Sequence, residues 1–130
     1  RAVSISSDPF DPRENVRIPF VEGKDQKCGW QSTKPEDAPW IQFELEKKMQ
    51  ITGIQLECYN TDRCSSKSIR LWVSDDGIHE REVYKDERGI RLYRIDLRKK
   101  NVKAKYIRIG RELGVSSDHF RINKVLIYGK

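Results

Sequence analysis

The chain is expected to fold as an all-β domain, and three observations carry that expectation. Apolar and polar residues alternate with a period of two through much of the 130 residues, which sends successive side chains to opposite faces of a strand. No window of about a dozen residues sustains a helical period. The apolar positions hold mainly β-branched and aromatic residues, which suit a pleated, half-buried surface.

Taken in order, residues 40–46 (WIQFELE) put Ile41, Phe43 and Leu45 on one face and Gln42, Glu44 and Glu46 on the other. Lys47 and Lys48 read as a polar turn, with residues 51–58 as an antiparallel neighbour. There Ile54, Leu56 and Cys58 alternate, and Gly53 admits a bulge. Residues 68–74 alternate through Ile69, Leu71 and Val73 before Asp75, Asp76 and Gly77. That Asp-Gly pair tolerates the positive φ of a tight turn, so the chain should reverse here. Tyr93, Ile95 and Leu97, then Ile107 and Ile109, then Val125 and Ile127 mark later strands. Arg88-Gly89, Lys99-Lys100-Asn101 and the polar stretch 114–118 divide them. About eight strands result, arranged as a sandwich or barrel.

The length suits one domain, residues 1–130, with one core. Only 36% of residues are hydrophobic and 35% are charged, but the apolar ones fall in short, even runs, so a folded domain with a well-solvated surface is expected. No run approaches the roughly 20 apolar residues of a membrane span, and no signal peptide opens the chain. The sequence starts at Arg1, so it is expected to be a piece excised from a longer chain, whose other domains are candidate partners. Cys28, Cys58 and Cys64 cannot all pair within one chain. That favours a reducing, intracellular setting, with a secreted one left open along with a Cys58–Cys64 bridge. The net charge of +6 favours acidic partners without the concentration of a dedicated nucleic-acid binder.

The catalytic inventory is nearly empty. His79 and His119 are the two histidines, and no nucleophile elbow, phosphate-cradling glycine loop or His-Glu-x-x-His motif occurs. Cys58, Cys64 and His79 lack a fourth zinc ligand and C-x-x-C spacing. Binding, with no enzyme activity, is the expectation.

An ordered set of landmarks spans nearly the whole chain: Glu22-Gly23, Trp30-Gln31-Ser32, Pro39-Trp40-Ile41-Gln42-Phe43-Glu44-Leu45, Ile51-Thr52-Gly53-Ile54, Lys67-Ser68, Val73-Ser74-Asp75-Asp76-Gly77, Lys105-Tyr106-Ile107-Arg108-Ile109 and Val125-Leu126-Ile127-Tyr128-Gly129. The set resembles the discoidin, or coagulation factor V/VIII C-type, domain family. The resemblance implies an eight-stranded antiparallel jelly-roll sandwich of the galactose-binding-like kind, with ligands held by loops at one end. Family members bind galactose-type sugars, anionic phospholipids or proteins, and there are intracellular Doc-like relatives. Two departures narrow this. No cysteine lies near either end to form the disulfide of extracellular animal members. Where many members carry an Asp-Gly-Asn calcium loop, this chain has Glu22-Gly23-Lys24-Asp25, and Lys24 places positive charge where a hard cation wants oxygen. No cofactor is therefore expected, Glu22 and Asp25 being the weak candidates for calcium.

The resemblance puts residues 59–67 at the ligand end. Tyr59 could stack on a sugar face, Asn60 and Asp62 could exchange hydrogen bonds with hydroxyls, and Arg63 could clamp an acidic or hydroxylated group, with Lys67 beside them. The same stretch would serve equally as a solvated loop with Tyr59 packed on the sandwich edge. Residues 111–121 should lie nearby and add His119 and Arg121, with Phe120 more at home as a core plug. Trp30 and Trp40 match structural positions of the family and are expected in the core. Trp72 lies opposite Leu71 and Val73, as an outer-face residue or an interface anchor. The basic segment 98–108 reads as a turn plus a strand's wet face, or as a phosphate or nucleic-acid contact. The expected partners are, in order, a protein or peptide, a galactose-type carbohydrate, and nucleic acid or phosphate through residues 98–108.

Overall fold

The computed structural model describes residues 30–31, 40–60, 63–112 and 118–129. These form β1 (Trp30–Gln31), β2 (Trp40–Cys58), β3 (Ile69–Ser74), β4 (Arg81–Asp86), β5 (Leu92–Asp96), a 3₁₀ turn (Arg98–Lys100), β6 (Val102–Arg111) and β7 (Arg121–Gly129). The all-β expectation holds, with seven strands among the described residues. Every ladder between them is antiparallel.

The strand order β1-β7-β2-β6-β3-β4, with β5 on β2, follows from the length of β2. Its first part pairs with β6, from Trp40 opposite Gly110 to Ile51 opposite Val102. Its second part pairs with β7 on one edge and β5 on the other, Ile54 lying opposite both Ile127 and Ile95. The sheet thus curls into two layers, β2-β6-β3-β4 and β1-β7-β2-β5, that share one strand. Their inner faces close on a single core, which includes Phe43, Leu45, Ile54, Leu56, Leu71, Ile95, Ile107, Phe120 and Ile127.

This corrects one sequence expectation. Lys47 and Lys48 do not turn the chain, and the two halves of β2 are not antiparallel neighbours. Residues 45–48 form a bulge opposite Lys105, between the pairs Glu44–Tyr106 and Met49–Ala104. Leu45 drops into the core from it and the lysines face solvent. Alternation identifies a strand's buried face but not its partner. The bulge expected at Gly53 is present, the register against β7 slipping between Ile51 and Gly53.

The reversal at Asp75, Asp76 and Gly77 is also present, joining β3 to β4. Gly77 has φ +80° and donates its N–H to Ser74 Oγ at 3.0 Å. Asp76 Oδ1 accepts the N–H groups of Ile78 and His79, each at 2.8 Å. Its other oxygen meets His79 Nδ1 at 2.6 Å. These bonds hold the Asp76 carboxyl well below its ordinary range and raise His79.

Candidate loop-end binding site

Strand parity dictates what fastens the loops. Along β6, Ile107 and Ile109 point inward, and two residues on so does Arg111, which is 2% exposed. A buried guanidinium must be compensated. Arg111 Nη1 donates to the carbonyls of Ser65 (2.7 Å) and His119 (3.2 Å), and Nη2 to that of Asp118 (2.6 Å). Its plane lies 5.8 Å from the ring of Phe120, which is fully buried as expected. Desolvation draws its pKa down from the ordinary arginine value.

The two loops that the sequence placed together are bonded to each other as well. His119 N donates to Arg63 O at 2.7 Å, Ser65 N to His119 O at 2.8 Å, and Tyr59 N to Arg121 O at 3.1 Å. A parallel bridge pairs Cys64 with His119. The Arg121 guanidinium lies 5.1 Å from the Tyr59 ring centroid and is steered by Nε donating to Asn123 Oδ1 at 3.0 Å. Arg63 and Ser68 adopt φ +54° and +60°, left-handed conformations that a non-glycine residue keeps only under surrounding restraint.

A third loop, residues 86–91, completes this end and was not singled out from sequence. Tyr93 Oη sits beneath it, 2.8 Å from Ser66 Oγ, donating to Arg88 O (2.9 Å) and accepting from Ile90 N (3.2 Å). Asn60 joins this buried plug. Its Nδ2 donates to Ile90 O at 2.7 Å and Ser66 Oγ at 2.9 Å, while Oδ1 accepts from Ser66 N at 2.8 Å. Both amide hydrogens are thus spent inside, so Asn60 shapes the loop instead of presenting donors to solvent. The signal for Arg111 and Tyr93 was available in sequence: both fall on the inward register of strands already recognised.

At the end of β4, Asp86 accepts from Tyr84 Oη (2.8 Å), Arg88 N (2.9 Å) and the Arg88 guanidinium (2.6 Å to Oδ2). The carboxylate is only 9% exposed. Arg88 chiefly holds its pKa at about 2, below the ordinary 3.8. A carboxylate lowered in the folded state stabilises above its unfolded pKa and loses that contribution as pH falls through the folded one. Urea titrations stepped from pH 5 to pH 2 should therefore show Asp86→Asn losing less stability than the parent between 3.8 and about 2.

Of the other sequence-derived site residues, Arg63 and Lys67 are exposed and Tyr59, His119 and Arg121 are half-buried at this same end. Asp62, Glu22 and Asp25 lie outside the described residues, and with them the calcium reading. Among the described residues no cluster of three or more His, Cys, Asp or Glu side chains could hold a metal. Cys58 is a free, buried thiol whose pKa burial pushes up to about 12, so no bond joins it to Cys64 and it carries no thiolate chemistry.

The outer face of β2, β6 and β3 departs from one expectation. Trp40 is 51% exposed, not in the core, because its register matches Gln42 and Glu44 rather than Ile41 and Phe43. Trp72 lies on the same outer face, as one of its two readings held. Arg108 stacks between them, 4.7 Å from the Trp40 ring and 5.1 Å from that of Trp72, and is paired to Glu80. Trp30 is described through its backbone only, opposite Ile122. The basic segment 98–108 is largely divided among local partners. Arg98 pairs with Asp96 at 2.7 Å, Lys105 with Glu44 at 3.2 Å, and Lys100 Nζ caps Val83 O at 2.7 Å.

The family model described as the F5/8 type C domain matches residues 4–113. Among solved structures, the chitosan-binding module 1 of a Paenibacillus sp. IK-5 chitosanase/glucanase is 19% identical, with TM-score 0.67 over 82% of this chain and 80% of that one. A CBM32 module of Clostridium perfringens in complex with GalNAc-β-1,3-galactose is 17% identical, with TM-score 0.63 over 82% and 78%. A fucolectin from striped bass serum is 15% identical, with TM-score 0.61 over 78% of this chain and 36% of that one. At these identities the likeness shows the fold. Among curated protein sequences none matches this chain.

Proposed function

Since this chain belongs to the F5/8 type C domain family, we propose that it is a non-catalytic recognition module that holds a carbohydrate against its loop end. The carrying observation is the convergence of Tyr59, Arg63, Lys67, His119 and Arg121 on one surface, built over a buried hydrogen-bonded base. An aromatic ring beside fixed donors is what a sugar needs, since its apolar face stacks while its hydroxyls exchange hydrogen bonds. The Paenibacillus and Clostridium modules of like fold, named for chitosan and seen with GalNAc-β-1,3-galactose, support moving carbohydrate ahead of protein. A protein or peptide partner is the second reading. The Arg121–Tyr59 stack favours it, as it already covers one side of the ring and combines two residue types common at interface hot spots.

Calorimetric titration against galactose, N-acetylgalactosamine and chitosan oligosaccharides tests this. One of them should bind, and Tyr59→Ala and Arg63→Ala should each weaken it about tenfold, a loss of roughly 1.4 kcal/mol, with unchanged melting temperature. A folded protein that stays silent across the panel overturns the carbohydrate reading in favour of the protein one.

A further inference from the structure

β6 runs from the loop end, at Arg111, to the opposite end of the sandwich, where Lys103 lies about 26 Å away by strand rise. A cavity of about 290 Å³ opens there, walled by the end of β3, the start of β4, the β2 bulge and the turn before β6. Its charge is unbalanced. Lys48, Arg81, Lys103 and His79 all reach it, against the carboxylate of Asp75. Lys48 is matched by Asp75 at 3.0 Å and His79 by Asp76 at 2.6 Å. Arg81 and Lys103 have no carboxylate partner among the described residues. Ser74 Oγ, which accepts from Gly77 N at 3.0 Å, keeps its own hydrogen for donation. Asn101 Oδ1 accepts from Gln50 Nε2 at 3.3 Å, which identifies the other amide atom as a donor.

We propose that this cavity is a second binding site, for a sulfate or phosphate ester carried on a group of about monosaccharide size. Two uncompensated cations, on β4 and β6 of one layer, and neutral donors beside them match a tetrahedral oxyanion: the Arg81 fork can take two oxygens and Lys103 acts as a point charge. Asp75, the carboxylate in the lining, is taken up by Lys48, and His79 by Asp76, so the net positive charge left for an anion is that of Arg81 and Lys103. The volume lies at the lower end of small-ligand pockets, which suits one sugar ring and its ester but not a duplex. The site stands apart from the loop end, and its success or failure is independent of the carbohydrate reading there.

The test is nuclear magnetic resonance titration at constant ionic strength with galactose 6-sulfate, galactose 6-phosphate, inorganic phosphate and galactose. The esters should shift the Arg81, Lys103 and Asn101 amides with at least tenfold tighter binding than galactose, and the two esters tell a sulfate preference from a phosphate one. Inorganic phosphate binding as tightly as the sugar phosphate keeps the anion site but removes the sugar from it. The Arg81→Gln/Lys103→Gln pair should abolish the shifts, while Tyr59→Ala should leave them intact. Unmoved amides at millimolar ester, or shifts that survive the double substitution, overturn the proposal. So does tighter binding of a DNA duplex that is lost on neutralising Lys99 and Lys100 but keeps Arg81 and Lys103 out of it.

Discussion

Arg111→Met should destabilise the domain by about 3–5 kcal/mol, measured by urea denaturation at neutral pH. Methionine fills much of the volume, so the loss isolates the guanidinium. Without it the carbonyls of the half-buried Ser65, Asp118 and His119 lose a partner, and the two loops that it fastens lose their common anchor. Arg111→Lys keeps the charge but not the planar fork, and should recover only part of the loss. A cost below about 1 kcal/mol would show that these loops are held by their mutual backbone bonds instead.

Tyr93→Phe comes next, at about 2–3 kcal/mol. Its hydroxyl is the junction of Ser66, Arg88 and Ile90 under two of the site's loops, and phenylalanine leaves an N–H and a carbonyl facing a ring edge. Ser66→Ala should cost less after Tyr93→Phe than before it, by about 1 kcal/mol in a double-mutant cycle, since the two hydroxyls satisfy each other. Additive losses would mean that the plug is a set of separate bonds.

The layers were legible because a half-buried strand must alternate, and each run from Ile41 to Ile127 placed its inward residues correctly. Partnership was less legible. Lys47 and Lys48 look like a turn to any local reading, and only the long-range ladder to β6 reveals a bulge in an uninterrupted strand. Trp40, expected in the core from its match to the family's structural positions, is set by its register on the outer face with Gln42 and Glu44. The loop end was half visible: the polar and aromatic residues of 59–67 announced a surface, and its pairing with 118–121 followed from the family resemblance. The role of Asn60 is not legible in sequence, because a loop amide that faces solvent looks the same there as one that closes an internal network. Arg111 is hidden in sequence because a charged residue at a strand end reads as solvent-facing, although its parity with Ile107 and Ile109 points inward.

The shared strand also bears on how the domain acquires its structure. β2 finds its partners only in β5, β6 and β7, so Ile54 has to wait for Ile95 and Ile127. Little can be gained locally before those wide chain closures are made. Folding should accordingly be governed by a high contact order, on the millisecond-to-second scale of non-local β proteins. Until then β2 is a long strand with both edges open, the segment most exposed to pairing with another chain.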